Sequence, residues 1–188
     1  NPMGKGKNRQ YHPAFFAAME QTLEQDICDY AYEKEYILNT LPNRIDFIVI
    51  KEDVTQMVDY GPGRIFKKYN LFEYKSPGQE LGIREYDKVM AYVYYFLSIN
   101  PETSLDDITV TLVREGKPRK LINYFKEQGF HEQIIEDGIY YFIRSRHVPI
   151  QIIITKELSW KYAWLKALTD KLELKEIINL AEEAEKEN

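Results

Sequence analysis

Two stretches, Arg44-Ile45-Asp46-Phe47-Ile48-Val49-Ile50 and Tyr69-Asn70-Leu71-Phe72-Glu73-Tyr74-Lys75, decide the fold. The first is almost continuously apolar and β-branched, which suits a central strand covered on both faces. The second ends at Ser76-Pro77-Gly78, a stop that no strand continues through. Upstream, residues 30–38 (YAYEKEYIL) read as a further strand joined to the first through Asn39, Pro42 and Asn43. Before them, Phe15, Phe16, Met19 and Leu23 recur at helical spacing over residues 13–25, with Pro13 suited to the helix start.

Downstream, Ile83, Tyr86, Met90, Val93 and Leu97 mark one apolar stripe over residues 82–98, a helix, and residues 107–114 (DITVTLVR) make a fourth strand. A helix between two strands is the connection that brings the later strand back parallel. A short helix over 118–128 begins at Pro118, and strands follow at 138–145 and 148–155. From Trp160 onward two helical stretches are expected, the second increasingly acidic. The fold class expected is α/β: a mixed central sheet with flanking helices over residues 10–169, then an acidic helical tail over 170–188.

Composition bounds the function. With 44% hydrophobic residues and fifteen tyrosines the chain is expected to fold rather than stay disordered. It shows neither an apolar run of membrane length nor a secretory leader, so a cytoplasmic protein is expected. Cys28 is the only cysteine, which excludes an internal disulfide and a thiolate zinc cluster. The net charge of −5 is concentrated at the end: from Asp170 to Asn188 seven acids stand against three lysines, leaving residues 1–169 at −1. Within that body basic residues cluster at Arg64, Lys67 and Lys68, at Arg114, Lys117, Arg119 and Lys120, and at Arg144, Arg146 and His147. Such patches are compatible with phosphate contact, although a solvated surface is the commoner meaning of such a cluster.

Three charged residues stand where a core excludes them: Asp46 on the first stretch, Glu73 and Lys75 on the second. Residues two apart on a strand share a face, so Glu73 and Lys75 point one way and Tyr74 the other. A buried carboxylate needs a cation or a metal. Spacing leaves two readings open. Two acids and one lysine suit Mg²⁺ with its waters and phosphate oxygens; the same three residues also suit an internal ion pair that neutralises itself.

The pieces Asn43-Arg44-Ile45-Asp46 and Glu73-Tyr74-Lys75, in the order helix, three strands, helix, strand, resemble the PD-(D/E)xK nuclease superfamily. RIDFIVIK, GRIFKKYNLFEYKSP, the helix with Tyr86-Asp87-Lys88 and Tyr92, ITVTLVR, PRKLINYF, GIYYFI and PIQIIITKEL resemble, more narrowly, small bacterial transposase-like, recombination-promoting nucleases, over roughly residues 10–170. Ile45 stands where the superfamily's namesake has proline.

The resemblance implies a restriction-endonuclease-like core and metal-dependent hydrolysis of DNA phosphodiesters. Asp46, Glu73 and the main-chain carbonyl of Tyr74 would ligate Mg²⁺, with Mn²⁺ able to substitute. Lys75 would orient the attacking water and offset phosphoryl charge. Glu20, ahead of Glu24, would be an accessory acid from the first helix. Lys88 and Tyr92 would stand for a Gln-x-x-x-Tyr element beside the site, or pack as a surface lysine along a tyrosine ring. DNA is the partner expected, with homodimerisation left open. The rival is a nuclease-fold protein that no longer cuts and serves as a nucleic-acid-binding or protein-interaction module. His12, His131 and His147 show no metal-ligand spacing, and no Gly-x-Ser-x-Gly or phosphate-cradling loop occurs.

Overall fold

The computed structural model describes residues 5–37 and 44–168, with isolated positions 179, 182, 183 and 186; the expected turn at Asn39–Asn43 and nearly all of the 170–188 tail lie outside the described residues. Side chains are described from His12 to Lys34 and from Ile45 to Leu168. Among the described residues seven strands form one mixed sheet: β1 Tyr30–Ile37, β2 Arg44–Lys51, β3 Tyr69–Lys75, β4 Ile108–Arg114, β5 His131–Glu136, β6 Ile139–Ile143 and β7 Ile150–Ile154. Their order is β1-β2-β3-β4-β7-β6-β5. The pairs β3–β4 and β4–β7 are parallel, and the remaining four pairs are antiparallel. The parallel step from β3 to β4 is made across helix α2, Ile83–Ile99, as the apolar stripe requires.

Alternation along the strands sorts the core into two layers. Phe47, Val49, Phe72 and Tyr74 pack with Phe15, Phe16, Met19 and Leu23 of helix α1, Lys5–Leu23. Phe15 is the centre of this layer: its ring stacks on Tyr74 at 4.5 Å between centroids and meets Phe47 edge-on at 6.0 Å. On the other face Ile48, Leu71, Val110 and Ile152 pack with Val89, Met90, Val93 and Phe96 of α2 and with Leu121, Ile122 and Phe125 of α3, Arg119–Glu127. The α2 stripe is rotated relative to expectation. Val89 and Phe96 are buried, and Ile83, expected inside, is 40% exposed.

Other departures have local causes. Helix α1 extends N-terminally past Pro13, which lies inside it rather than at its start. β5 (HEQIIE) was not expected as a strand. It is an edge strand with Ile134 74% exposed, so no apolar face marks it. After β7 the described chain makes 3₁₀ turns at Thr155–Glu157 and Trp160–Tyr162 and a single α-turn, α4, Ala163–Lys166, where a longer helix was expected. The one amide buried in β3, Asn70, is fully used. Its oxygen accepts from the Lys67 N–H and the Thr109 hydroxyl, and its nitrogen donates to the Val49 and Lys67 carbonyls. Among the described residues no helix is long and apolar enough to cross a membrane.

Candidate functional site: a buried carboxyl pair held by two lysines

The ladder between β2 and β3 runs from Ile50↔Tyr69 to Phe47↔Phe72, so Asp46 and Glu73 are the next residues on the two neighbouring strands. The Asp46 carboxylate takes over from the backbone there: its Oδ2 accepts from the Tyr74 N–H at 3.0 Å. Asp46 is 5% exposed and Glu73 1%. Tyr74 points into the α1 layer, as strand alternation requires, while Glu73 and Lys75 turn toward α2.

Two ammonium groups converge on one oxygen. Lys88 Nζ, from α2, lies 3.2 Å from Glu73 Oε1, and Lys75 Nζ lies 3.6 Å from the same atom. Both lysines keep about a quarter of their side chains exposed (29% and 23%) over the buried carboxyl, so the carboxylate is the floor of the site and the cations its rim. On the opposite side His12 Nδ1 of α1 lies 3.8 Å from Asp46 Oδ1, an ion pair only when the ring is protonated.

Electrostatics follow from burial. Desolvation pushes the Asp46 carboxyl up, against the Tyr74 N–H, Lys88, Lys75 and a hydrogen bond from Glu73. Desolvation and then the Asp46 charge push Glu73 up to about 7, against Lys88 and Lys75. Taken as two carboxylates, the pair leaves Glu73 Oε2 buried without a hydrogen-bond partner. Burial and the neighbouring Asp46 charge both favour a proton on Glu73.

This arrangement corrects the metal reading. Among the described residues no group of three or more His, Cys, Asp or Glu side chains is placed to hold a metal ion. Two carboxylates opposed by two lysines sum to zero charge, and burial favours a proton over a second negative charge, so little attraction for a divalent cation remains. The Mg²⁺ or Mn²⁺ site expected on Asp46, Glu73 and the Tyr74 carbonyl is overturned. The metal-dependent nuclease and its hydrolase activity fall with it.

The remaining expected residues divide. Lys88 is brought to the site. Tyr92, one turn further along α2, is buried in the α2-side core. Glu20 is engaged elsewhere, with its Oε1 2.7 Å from Lys34 Nζ of β1. Glu24 lines a separate cleft of about 480 Å³ with Cys28, Tyr30 and Glu52. His12 was missed, since nothing in its spacing distinguishes it from a helix-surface residue.

The surroundings of the pair are basic. Lys75 and Arg114, the last residues of β3 and β4, are register partners, and Arg114 is in turn opposite Ile154, the last residue of β7. The carboxyl ends of the three parallel strands therefore lie in one row. Beyond them come the exposed Lys156, which follows β7, and Lys117, Arg119 and Lys120 at the start of α3. The Arg114 guanidinium is held by the carbonyls of Gln79 and Gly116. Glu115 and Glu157 stand in the same row, and Glu157 accepts a hydrogen bond from the Tyr140 hydroxyl. In open α/β sheets the carboxyl ends of parallel strands are where ligands bind. Compared with known proteins, the chain matches no family model, no curated protein and no solved structure.

Proposed function

We propose that the chain is a non-cleaving nucleic-acid-binding module on a restriction-endonuclease-like core. The observation that carries this reading is the row of cations at the carboxyl ends of β3, β4 and β7, standing beside a carboxyl pair that two lysines already neutralise. The order α1, β1, β2, β3, α2, β4 supports the core assignment, as it is the order in which the resemblance to the PD-(D/E)xK superfamily was drawn. Lys75 and Lys88 keep about a quarter of their side chains exposed, so a phosphate can approach them from solvent. Arg119 and Lys120, both exposed, extend the same charge along α3. Binding of this kind releases counterions and weakens as salt rises.

The test is fluorescence anisotropy of labelled oligonucleotides at several salt concentrations with the wild type, a Lys75→Gln/Lys88→Gln variant and an Arg119→Gln/Lys120→Gln variant. The expected result is a linear fall of log K with log salt, its slope shallower by about 0.7 to 0.9 for each phosphate contact removed. A wild type that binds no nucleic acid at low salt would overturn the reading. That outcome would favour a protein partner, for which the net charge of −5 is the supporting observation.

A further inference from the structure

The basic row does not stop at Lys156. The Lys156 N–H donates to the Glu115 carbonyl, next to Arg114, and the Lys156 carbonyl accepts from Lys166 Nζ at 2.8 Å. That same ammonium lies 5.2 Å from the ring of Trp160, which is 75% exposed. The next residue, Lys161, holds its ammonium 3.6 Å from the ring centroid of Tyr60, itself 40% exposed. The cationic row thus ends in two solvent-facing aromatic rings, each with a lysine beside it.

Large rings left in water beside fixed cations suit one ligand chemistry in particular. A nucleic-acid base presents a flat π-face to the ring while its phosphate meets the neighbouring ammonium, and stacking of this kind tolerates any base. Only unpaired bases offer that face, because in a duplex both faces are covered by neighbours. We propose that Trp160 and Tyr60, with Lys161 and Lys166, form a stacking platform that continues the basic row and makes the chain prefer single-stranded over duplex nucleic acid. This rests on the nucleic-acid reading above and adds the strand class to it. A single strand entering over Lys75 and Arg114 reaches Trp160 by way of Lys156 and Lys166, so the phosphates are held along the row and the bases at its end.

The experiment measures anisotropy of one labelled mixed-sequence oligonucleotide, single-stranded and annealed to its complement, against the full chain at matched salt. It also follows tryptophan emission, with Trp160→Ala and Trp160→Phe beside the wild type. The wild type is expected to bind the single strand at least tenfold more tightly, with quenching of emission that disappears in Trp160→Ala, where Trp164 is the one tryptophan left. Trp160→Ala should weaken single-strand binding by about 5- to 100-fold and leave duplex binding unchanged, and Trp160→Phe should keep most of the affinity. Because the side chain is exposed, both variants should melt with the wild type. Trp160→Ala binding single strands as the wild type does, or equal wild-type affinity for both strand forms, would overturn the platform while leaving the nucleic-acid reading intact. Failure of the wild type to bind either form would overturn both.

Discussion

Replacing Glu73 by glutamine removes a buried titration without changing the shape of the side chain, and the structure fixes the sign of the result. In the unfolded chain Glu73 loses its proton near its ordinary value of 4.5; in the fold it does so near 7, first because of burial and second because of the Asp46 charge. Below about pH 4.5 both states are protonated and nothing is lost. Between the two values the folded state holds a proton that the unfolded state has released, so stability falls as pH rises. Above about pH 7 both are ionised and the fold carries the full cost, about 3 kcal/mol. Glu73→Gln should therefore match the wild type near pH 4 and exceed it by about 3 kcal/mol near pH 8. For a chain of this length that corresponds to a melting temperature roughly 6 to 12 °C higher at the alkaline end. Burial holds the His147 imidazole below its ordinary value, which gives the opposite trend with pH, but it does so in both proteins and cancels in the difference. Urea unfolding of the two proteins across this range is the assay. A stability difference independent of pH would refute the picture of a carboxyl driven toward its protonated form.

Phe15→Ala should be the most damaging single truncation in the α1 layer, costing about 3 to 5 kcal/mol by urea denaturation, because that ring contacts Phe16, Phe47, Phe72 and Tyr74 together. Gly63→Ala should destabilise by about 1 to 3 kcal/mol, since the added methyl collides with the Asp26 carboxylate and the Tyr30 hydroxyl and breaks their 2.7 Å hydrogen bond; a melting temperature equal to wild type would show that the loop yields instead. Mg²⁺ and Mn²⁺ should leave the melting temperature of the wild type and of Asp46→Asn unchanged relative to each other, as among the described residues no group of three or more His, Cys, Asp or Glu side chains is placed to hold an ion. A rise in the wild type alone would restore the metal reading.

Much of the sheet was legible because its strands carry the two strongest signals a sequence offers. RIDFIVI and YNLFEYK are apolar runs bounded by turn residues, and the α2 stripe between β3 and β4 demands a parallel crossover. β5 was hidden for the opposite reason: an edge strand with half its residues in water has no apolar face to periodically display. The site was legible as a cluster and misread as to its chemistry. Asp46, Glu73 and Lys75 announce themselves as charges on core strands, and that signal is the same for a metal site and for a neutralised pair. What separates the two is a second ammonium on Glu73 Oε1, and it arrives from α2, fifteen residues away in sequence. Its place depends on the rotation of that helix, which the stripe fixed only to within a residue. His12 shows the same limit, since its approach to Asp46 is set by how α1 lies across the sheet.

We propose that the basic row beside the carboxyl pair, itself neutralised by two lysines, binds nucleic acid without cutting it. One gel tests both halves: an end-labelled single-stranded oligonucleotide incubated with the protein, once with a chelator and once with Mn²⁺, and resolved under native and denaturing conditions. The same retarded complex is expected in both lanes, with full-length oligonucleotide after denaturation. Strand breakage that requires Mn²⁺ and disappears in Asp46→Asn would contradict the proposal, as would the absence of any complex.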